Sequence, residues 1–190
     1  MSGVIKLTDP SDTPAITRVT DAIPEAGALG KVINAFGIIF ALAILTSAAI
    51  LFIEVVLRYG FNRPTIWAHE TVIFLTACSF VFGGLYVASR NAHIRVVLIY
   101  DRLSVAKRRI FDVSISIACS FACGFFAWAS WKSVARAVWT PAGDIRLETS
   151  GSAWDPPTPG MVKVFLFLVL ILMALQFAVL AFNYLRNSGR

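Results

Sequence analysis

The sequence predicts an all-α integral membrane protein with four transmembrane helices and an interfacial amphipathic helix between the second and third. Three observations predict it. Hydrophobic residues make up 57% and charged residues 15% of the 190-residue chain, and the mean hydropathy of +0.73 is far above that of an ordinary soluble domain. Uncharged apolar runs recur that are long enough to cross a bilayer as helices. Basic residues gather toward one side of these runs and the tryptophans toward the other. The formal charge of +6 therefore fits an anionic membrane face better than nucleic acid. No sizeable soluble domain is expected.

Residues 1–31 are polar, of mixed charge and interrupted by Pro10, Pro14 and Pro24, and they lack the basic start and short apolar core of a cleaved signal peptide. They read as a mobile cytoplasmic leader. The first span, about 32–57, is longer than the bilayer needs, so it tilts or projects. Gly37 with Ala41, and Ala43 with Ser47, give it small-residue faces. Near its end Glu54 stands four residues before Arg58, the spacing at which opposite charges meet on a helix. Two readings stay open: a structural pair, or a coupling carboxylate, since an ionisable group in a span is a functional candidate.

The second span, 71–89, carries no formal charge and extends about 28 Å as a helix, close to the hydrocarbon thickness. Pro64 suits its approach and Trp67 a membrane interface, while Arg90, His93 and Arg95 stop the run. Ser79 with Gly83, and Gly84 with Ala88, leave two faces without bulk for helix packing. Over 93–107, Val96, Ile99, Leu103 and Ala106 recur at helical spacing among Arg95, Arg102 and Lys107, as in a helix lying in the interface. Arg90, Arg95, Arg102, Lys107, Arg108 and Arg109 make this the densest basic stretch, which the positive-inside bias assigns to the cytoplasm. His93 and Arg95 then face lipid headgroups or water.

The third span, about 110–131, is entered past Arg108 and Asp112, again four apart, and carries Ser116, Ser120 and Gly124 as a packing stripe. Trp128, Trp131 and Lys132 mark its outer end. Residues 133–160, rich in proline and glycine, read as an irregular or partly ordered extracytoplasmic loop. Its Asp144, Arg146, Glu148 and Asp155 are either a solvated surface or, with Trp139 and Trp154, a partner contact. The fourth span, about 161–185, leads to a cytoplasmic tail, 186–190. An even number of spans puts both termini on the basic side and all five tryptophans toward the other.

Function classes separate on the ligand inventory. Haem needs facing imidazoles in the bilayer, and the two histidines, His69 and His93, lie at opposite borders of one span. Cys78, Cys119 and Cys123 fall in spans with no basic partner nearby in sequence, which suits packing better than nucleophilic or metal chemistry. No cofactor and no catalytic activity are expected. A self-contained proton-coupled carrier of the small multidrug resistance kind is the alternative, but it wants an acid near mid-membrane, and the acids here stand at the borders.

The pattern Arg58-Tyr59-x-Phe61-Asn62-x-Pro64-x-x-Trp67-Ala68-x-Glu70, then Gly83-Gly84, then His93-Ile94-Arg95-Val96, resembles the small, DctQ-like membrane subunit of tripartite ATP-independent periplasmic (TRAP) transporters. The resemblance covers roughly residues 32–185. Two departures stand out: His69 where the family often has a second acid, and Val97 where an acid often follows the histidine motif. The resemblance implies a subunit in the bacterial or archaeal cytoplasmic membrane that braces a large elevator-type subunit. It also implies a periplasmic binding protein that delivers a carboxylate-containing solute for sodium-driven uptake. Arg58, Arg63, Trp67 and Glu70 would form an outer anchoring or docking cluster, with Glu70 able to pair with Arg58 or Arg63.

Overall fold

The computed structural model describes residues 23–90 and 105–186. Helix α1 covers Gly27–Val55 and continues through a π-helical turn, Val56–Gly60; α2 covers Ala68–Ser89, α3 Val105–Val138 and α4 Thr158–Arg186. Each is long and apolar enough to cross a membrane. The protein is an all-α membrane protein with four spans. Among the described residues the one extended pairing is an antiparallel bridge between Trp139 and Ile145.

The helices overrun the apolar stretches that predict them. Hydropathy marks where water gives way to hydrocarbon, whereas backbone hydrogen bonding continues through good helix formers such as Lys132, Ala135 and Arg136. α3 therefore runs to Val138 and not to 131, and with α1 it exceeds the roughly 30 Å hydrocarbon core, as tilted or projecting helices do. The end of the expected leader also belongs to the bundle. A 3-10 turn at Pro24–Ala26 precedes Gly27, whose φ of +64° lets the chain turn into α1. Ala26 is fully buried beside Ala88, Phe177 and Leu180. The interfacial helix expected over 93–107 lies almost wholly on residues 91–104, outside the described residues.

α1 packs on α2, α2 on α4, and α4 on α3, so α2 and α4 form the centre and α1 and α3 the flanks. Only 6% of the most apolar stretch of α1 is buried within the chain, against 28% for α2 and for α4, which leaves α1 the most exposed of the four. In hydrocarbon, burial of apolar area does not itself drive helices together; close packing and hydrogen bonds do. Both occur here. Phe40 stacks on Phe82 with ring centroids 4.1 Å apart, and the Ser79 hydroxyl donates to the Phe40 carbonyl at 3.3 Å. The Ser120 hydroxyl donates to the Ala174 carbonyl at 2.8 Å, tying α3 to α4. The Tyr86 ring lies directly over Gly37, where a β-carbon would stand 2.4 Å from the ring.

Gly37→Ala is expected to displace the Tyr86 ring and cost about 1–3 kcal/mol by overpacking. Gly83→Ala and Gly124→Ala, where a β-carbon would meet nothing within 4 Å, are expected to cost nothing and to raise stability by up to about 1 kcal/mol through helix propensity. Thermal unfolding of the three variants in one detergent checks the contrast.

Candidate functional site

Polar chemistry gathers at the two ends of the bundle: a tryptophan end, with Trp67, Trp131, Trp139 and Trp154, and an opposite end, called the arginine end, with Arg90, Arg108, Arg109 and Arg186. At the tryptophan end the organising group is Glu54, 8% exposed although it is charged. One carboxylate oxygen accepts from Arg58 Nε at 3.1 Å and Nη2 at 2.7 Å; the other accepts from the Thr65 backbone N–H at 3.1 Å and its hydroxyl at 2.6 Å. The local sequence makes this possible. Glu54 and Arg58 are one turn apart, and the Arg63 N–H closes the end of the helix on the Leu57 carbonyl at 2.9 Å. Asn62 adopts φ of +52°, a left-handed conformation that asparagine tolerates, and the chain reverses to bring Thr65 back to Glu54. The structure thus favours the structural reading of Glu54.

Trp67 immediately precedes α2, its carbonyl accepting from the Thr71 N–H at 3.0 Å and from the Thr71 hydroxyl at 2.9 Å. Glu70 corrects an expectation. It meets neither Arg58 nor Arg63 among the described contacts but accepts from the Thr158 hydroxyl at 3.4 Å, linking the starts of α2 and α4. The physical reason is that Arg58 is already fixed by Glu54, while Arg63 is exposed on the loop. Among the expected outer cluster, Arg58 joins Glu54, Glu70 joins α4, and Arg63 and Trp67 present exposed surface.

The segment joining α3 to α4 is irregular in backbone conformation yet ordered by hydrogen bonds, as the partly ordered reading expects. The Arg146 and Glu148 N–H groups donate to the carbonyls of Val138 and Ala137, both at 2.8 Å, laying the chain back along the end of α3. Gly143 at φ +92° makes the turn. Glu148 then forms an ion pair with Lys163 of α4, and its carbonyl accepts from the Gly160 N–H at 3.2 Å. A side chain at Gly160 would stand 3.0 Å from the Glu148 backbone nitrogen, so the close approach requires glycine. Trp131 lies between Trp139 and Phe167, with centroids 6.0 and 5.6 Å away.

At the arginine end Arg90 lies over the Tyr86 ring, 4.0 Å from its centroid, and donates to Asn34 at 2.5 Å, joining α2 to α1. Arg109 donates to the Tyr184 carbonyl and, at 2.7 Å, to the Leu185 carbonyl, supplying donors that the end of α4 lacks. Asn183 donates to the Glu25 carbonyl at 2.7 Å and Gln176 to the Ala26 carbonyl at 3.4 Å, fastening the segment before α1. Lys107 is exposed and Arg108 half-buried. His93, Arg95 and Arg102 lie outside the described residues.

Of the packing residues, Ser79, Gly84, Ala88 and Ser120 meet a neighbouring helix: Met173 rests 3.8 Å from the β-carbon position of Gly84, and Ala88 is fully buried. Ser116 is buried but bonds within its own helix, to the Asp112 carbonyl at 2.7 Å. Gly83 and Gly124 meet no packed neighbour, because each is turned away from the α2–α4 or α3–α4 contact. Sequence reasoning missed Thr65, Thr158, Asn34, Asn183 and Gln176. Asn34 and Gln176 carried a visible signal, an amide within an apolar run; the two threonines carried none. Among the described residues no three His, Cys, Asp or Glu side chains converge as a metal site.

A four-span bundle whose described ionic groups stand at the helix ends, where several of them fasten one element to another, defines a multi-pass membrane protein. Residues 47–187, well over half of the chain, match the family model described as tripartite ATP-independent periplasmic transporters, DctQ component. The chain belongs to this family, and is a TRAP transporter component acting within a hetero-complex. It is a transporter-component family and not an enzyme family. No curated protein is similar enough to match.

Thr65→Val removes one of the two donors to the second Glu54 oxygen and is expected to loosen the loop after α1. Proteolysis tracks the open population, so trypsin cleavage after Arg58 should rise about tenfold. Lys132→Ala, outside this network, should leave the rate unchanged.

Proposed function

We propose that this chain is the rigid scaffold subunit of a sodium-driven TRAP transporter for a carboxylate-containing solute. In this reading it braces the static part of a large elevator-type membrane subunit and helps receive a periplasmic binding protein. One observation carries the proposal beyond family membership. The charged groups stand at helix ends, Glu54 is held by Arg58 and Thr65, and the long uncharged middles of the four helices pair through stacked rings and hydroxyl-to-carbonyl bonds. Among the described residues such a body offers neither a mid-membrane carboxylate nor a broken helix to carry an ion or a solute by itself. Substrate and sodium sites then belong to the partner.

The exposed flanks of α1 and α3 supply apolar surface for a large membrane partner, and the folded 139–157 segment, with the Arg63–Trp67 border, supplies an outer face for the binding protein. Both termini lie in the cytoplasm of a cell whose inner membrane holds the complex. Arg109, Lys107, Arg108 and Arg186 at one end and the tryptophans at the other support that orientation.

Purification from the native host in mild detergent is expected to bring down a large multi-span membrane protein at equal stoichiometry by mass spectrometry. A homo-oligomer that alone moves a proton-coupled solute into vesicles overturns the reading. Glu70→Lys is expected to lower the yield of that complex and uptake together, since an ammonium cannot accept the Thr158 hydroxyl bond that joins α2 to α4. A reporter active only in the cytoplasm is expected to work when fused after Arg190 and to fail when inserted at Gly151.

A further inference from the structure

The seam between α2 and α4 opens into two apolar cavities that no function described above uses. One, of about 300 Å³, lies toward the tryptophan end and is lined by Phe74 and Cys78 of α2, by Leu147 of the loop, and by Met161, Val164 and Phe165 of α4, among others. The second, of about 320 Å³, lies deeper, between α1 and α4 over Phe82 and Leu85. Phe165 and Leu168 line both, so the cavities adjoin. Every lining side chain is apolar. Water would gain no hydrogen bonds there, whereas a hydrocarbon chain would gain dispersion contacts with the walls.

The dimensions select the occupant. α1 and α4 close on each other on either side of the deeper cavity, at Gly27 against Val179, 3.6 Å from its β-carbon position, and at Phe40 against Phe165, ring centroids 5.8 Å apart. A partner helix, about 10 Å across, does not enter a crevice pinched in this way. A single acyl chain does. From Met161 to Leu172 the two cavities run about 16 Å along α4, a little over half of the roughly 30 Å hydrocarbon core and thus close to the depth of one leaflet.

The mouth of the seam selects the headgroup. Glu70 stands one turn before Phe74 on the same face of α2, and Thr158 stands three residues before Met161 on α4, so their hydrogen-bonded pair sits above the first cavity. Glu70 makes no ion pair with Arg58, whose guanidinium is held by Glu54. A carboxylate at the mouth of an apolar slot, at the level of the interfacial tryptophans, complements a cationic amine and repels an anionic headgroup. We propose that the α2–α4 seam is a binding site for one phospholipid with a protonated amine headgroup. The ammonium donates to Glu70 and one acyl chain lies in the cavity beneath. This site is separate from the arginine-end residues expected to meet lipid phosphate, and it does not depend on the scaffold reading.

The test uses the full chain in detergent, exchanged into phosphatidylethanolamine carrying a photoreactive group near the end of one acyl chain, and in parallel into phosphatidylglycerol with the same chains. Crosslinks to the ethanolamine lipid are expected to concentrate in peptides containing Phe74–Phe82 and Met161–Leu172, at least fivefold over the glycerol lipid. Glu70→Gln is expected to remove that headgroup preference, and Leu168→Trp, which fills the slot, to lower crosslinking by both lipids while the melting temperature of each variant stays measurable. Crosslinks spread evenly over the exposed faces of α1 and α3, or equal capture of the two lipids by the unaltered chain, would overturn the proposal. Neither readout involves the large subunit or uptake, so its failure leaves the scaffold reading untouched.

Discussion

Within a bilayer a buried polar group has no water to fall back on, and most of this structure follows from that constraint. Glu54 shows it most clearly. A carboxylate at the end of a span has to be satisfied on both oxygens, and the partners available are Arg58 one turn on and Thr65 after a chain reversal. Satisfying it therefore folds the loop, and folding the loop sets where α2 begins. The same rule recurs with smaller groups. Ser79 and Ser120 donate to carbonyls of neighbouring helices, while Thr46, Ser47 and Ser116 donate to carbonyls one turn back in their own. The first pair fixes helix against helix; the second set simply hides a hydroxyl.

What the sequence made legible follows the same physics. Spans are readable because hydrocarbon demands a long uncharged run, and the four runs are there in the one-dimensional string. The Glu54–Arg58 pair was readable because its partners are one helical turn apart. The partner of Glu70 was not readable because spacing cannot show that Arg58 is already occupied, nor that α4 brings Thr158 to the same place. Gly83 and Gly124 looked like packing glycines because small residues permit close approach, but permission is not contact. Which face meets a neighbour depends on the rotation of each helix, and that is decided by partners far apart in sequence, such as Tyr86 on Gly37. The bonds that order the segment between α3 and α4 were hidden for a similar reason. Proline and glycine mark a departure from helix, and they do not reveal the backbone bonds from Arg146 and Glu148 to the end of α3.

The bundle is asymmetric in a way that bears on its role. α2 and α4 hold most of the buried residues, while α1 presents large side chains such as Phe52, and α3 Phe121 and Trp128, to whatever surrounds them. Lipid tails satisfy such surfaces as well as a protein partner does, so exposure alone does not decide between them. Shape does. The slot beside the α2–α4 seam is narrow, pinched where Phe40 of α1 meets Phe165 of α4, and suits a chain, whereas the outer faces of α1 and α3 are broad helical surfaces, suited to other helices.

Alternating access needs an element with two arrangements of similar energy, and each arrangement must satisfy its own polar groups. In this chain the polar groups at both ends tie one element to another: Glu54 to the following loop, Arg90 to Asn34, Arg109 to the end of α4, and Asn183 to the segment before α1. Moving one helix past another would break several of these at once and leave donors and acceptors unpaired at the border of hydrocarbon. On the proposed reading this is the property a brace requires. The moving part of the transporter then has to reside in a chain whose helices are not fastened at both ends, and the fixed frame it moves against gains stiffness from one whose helices are.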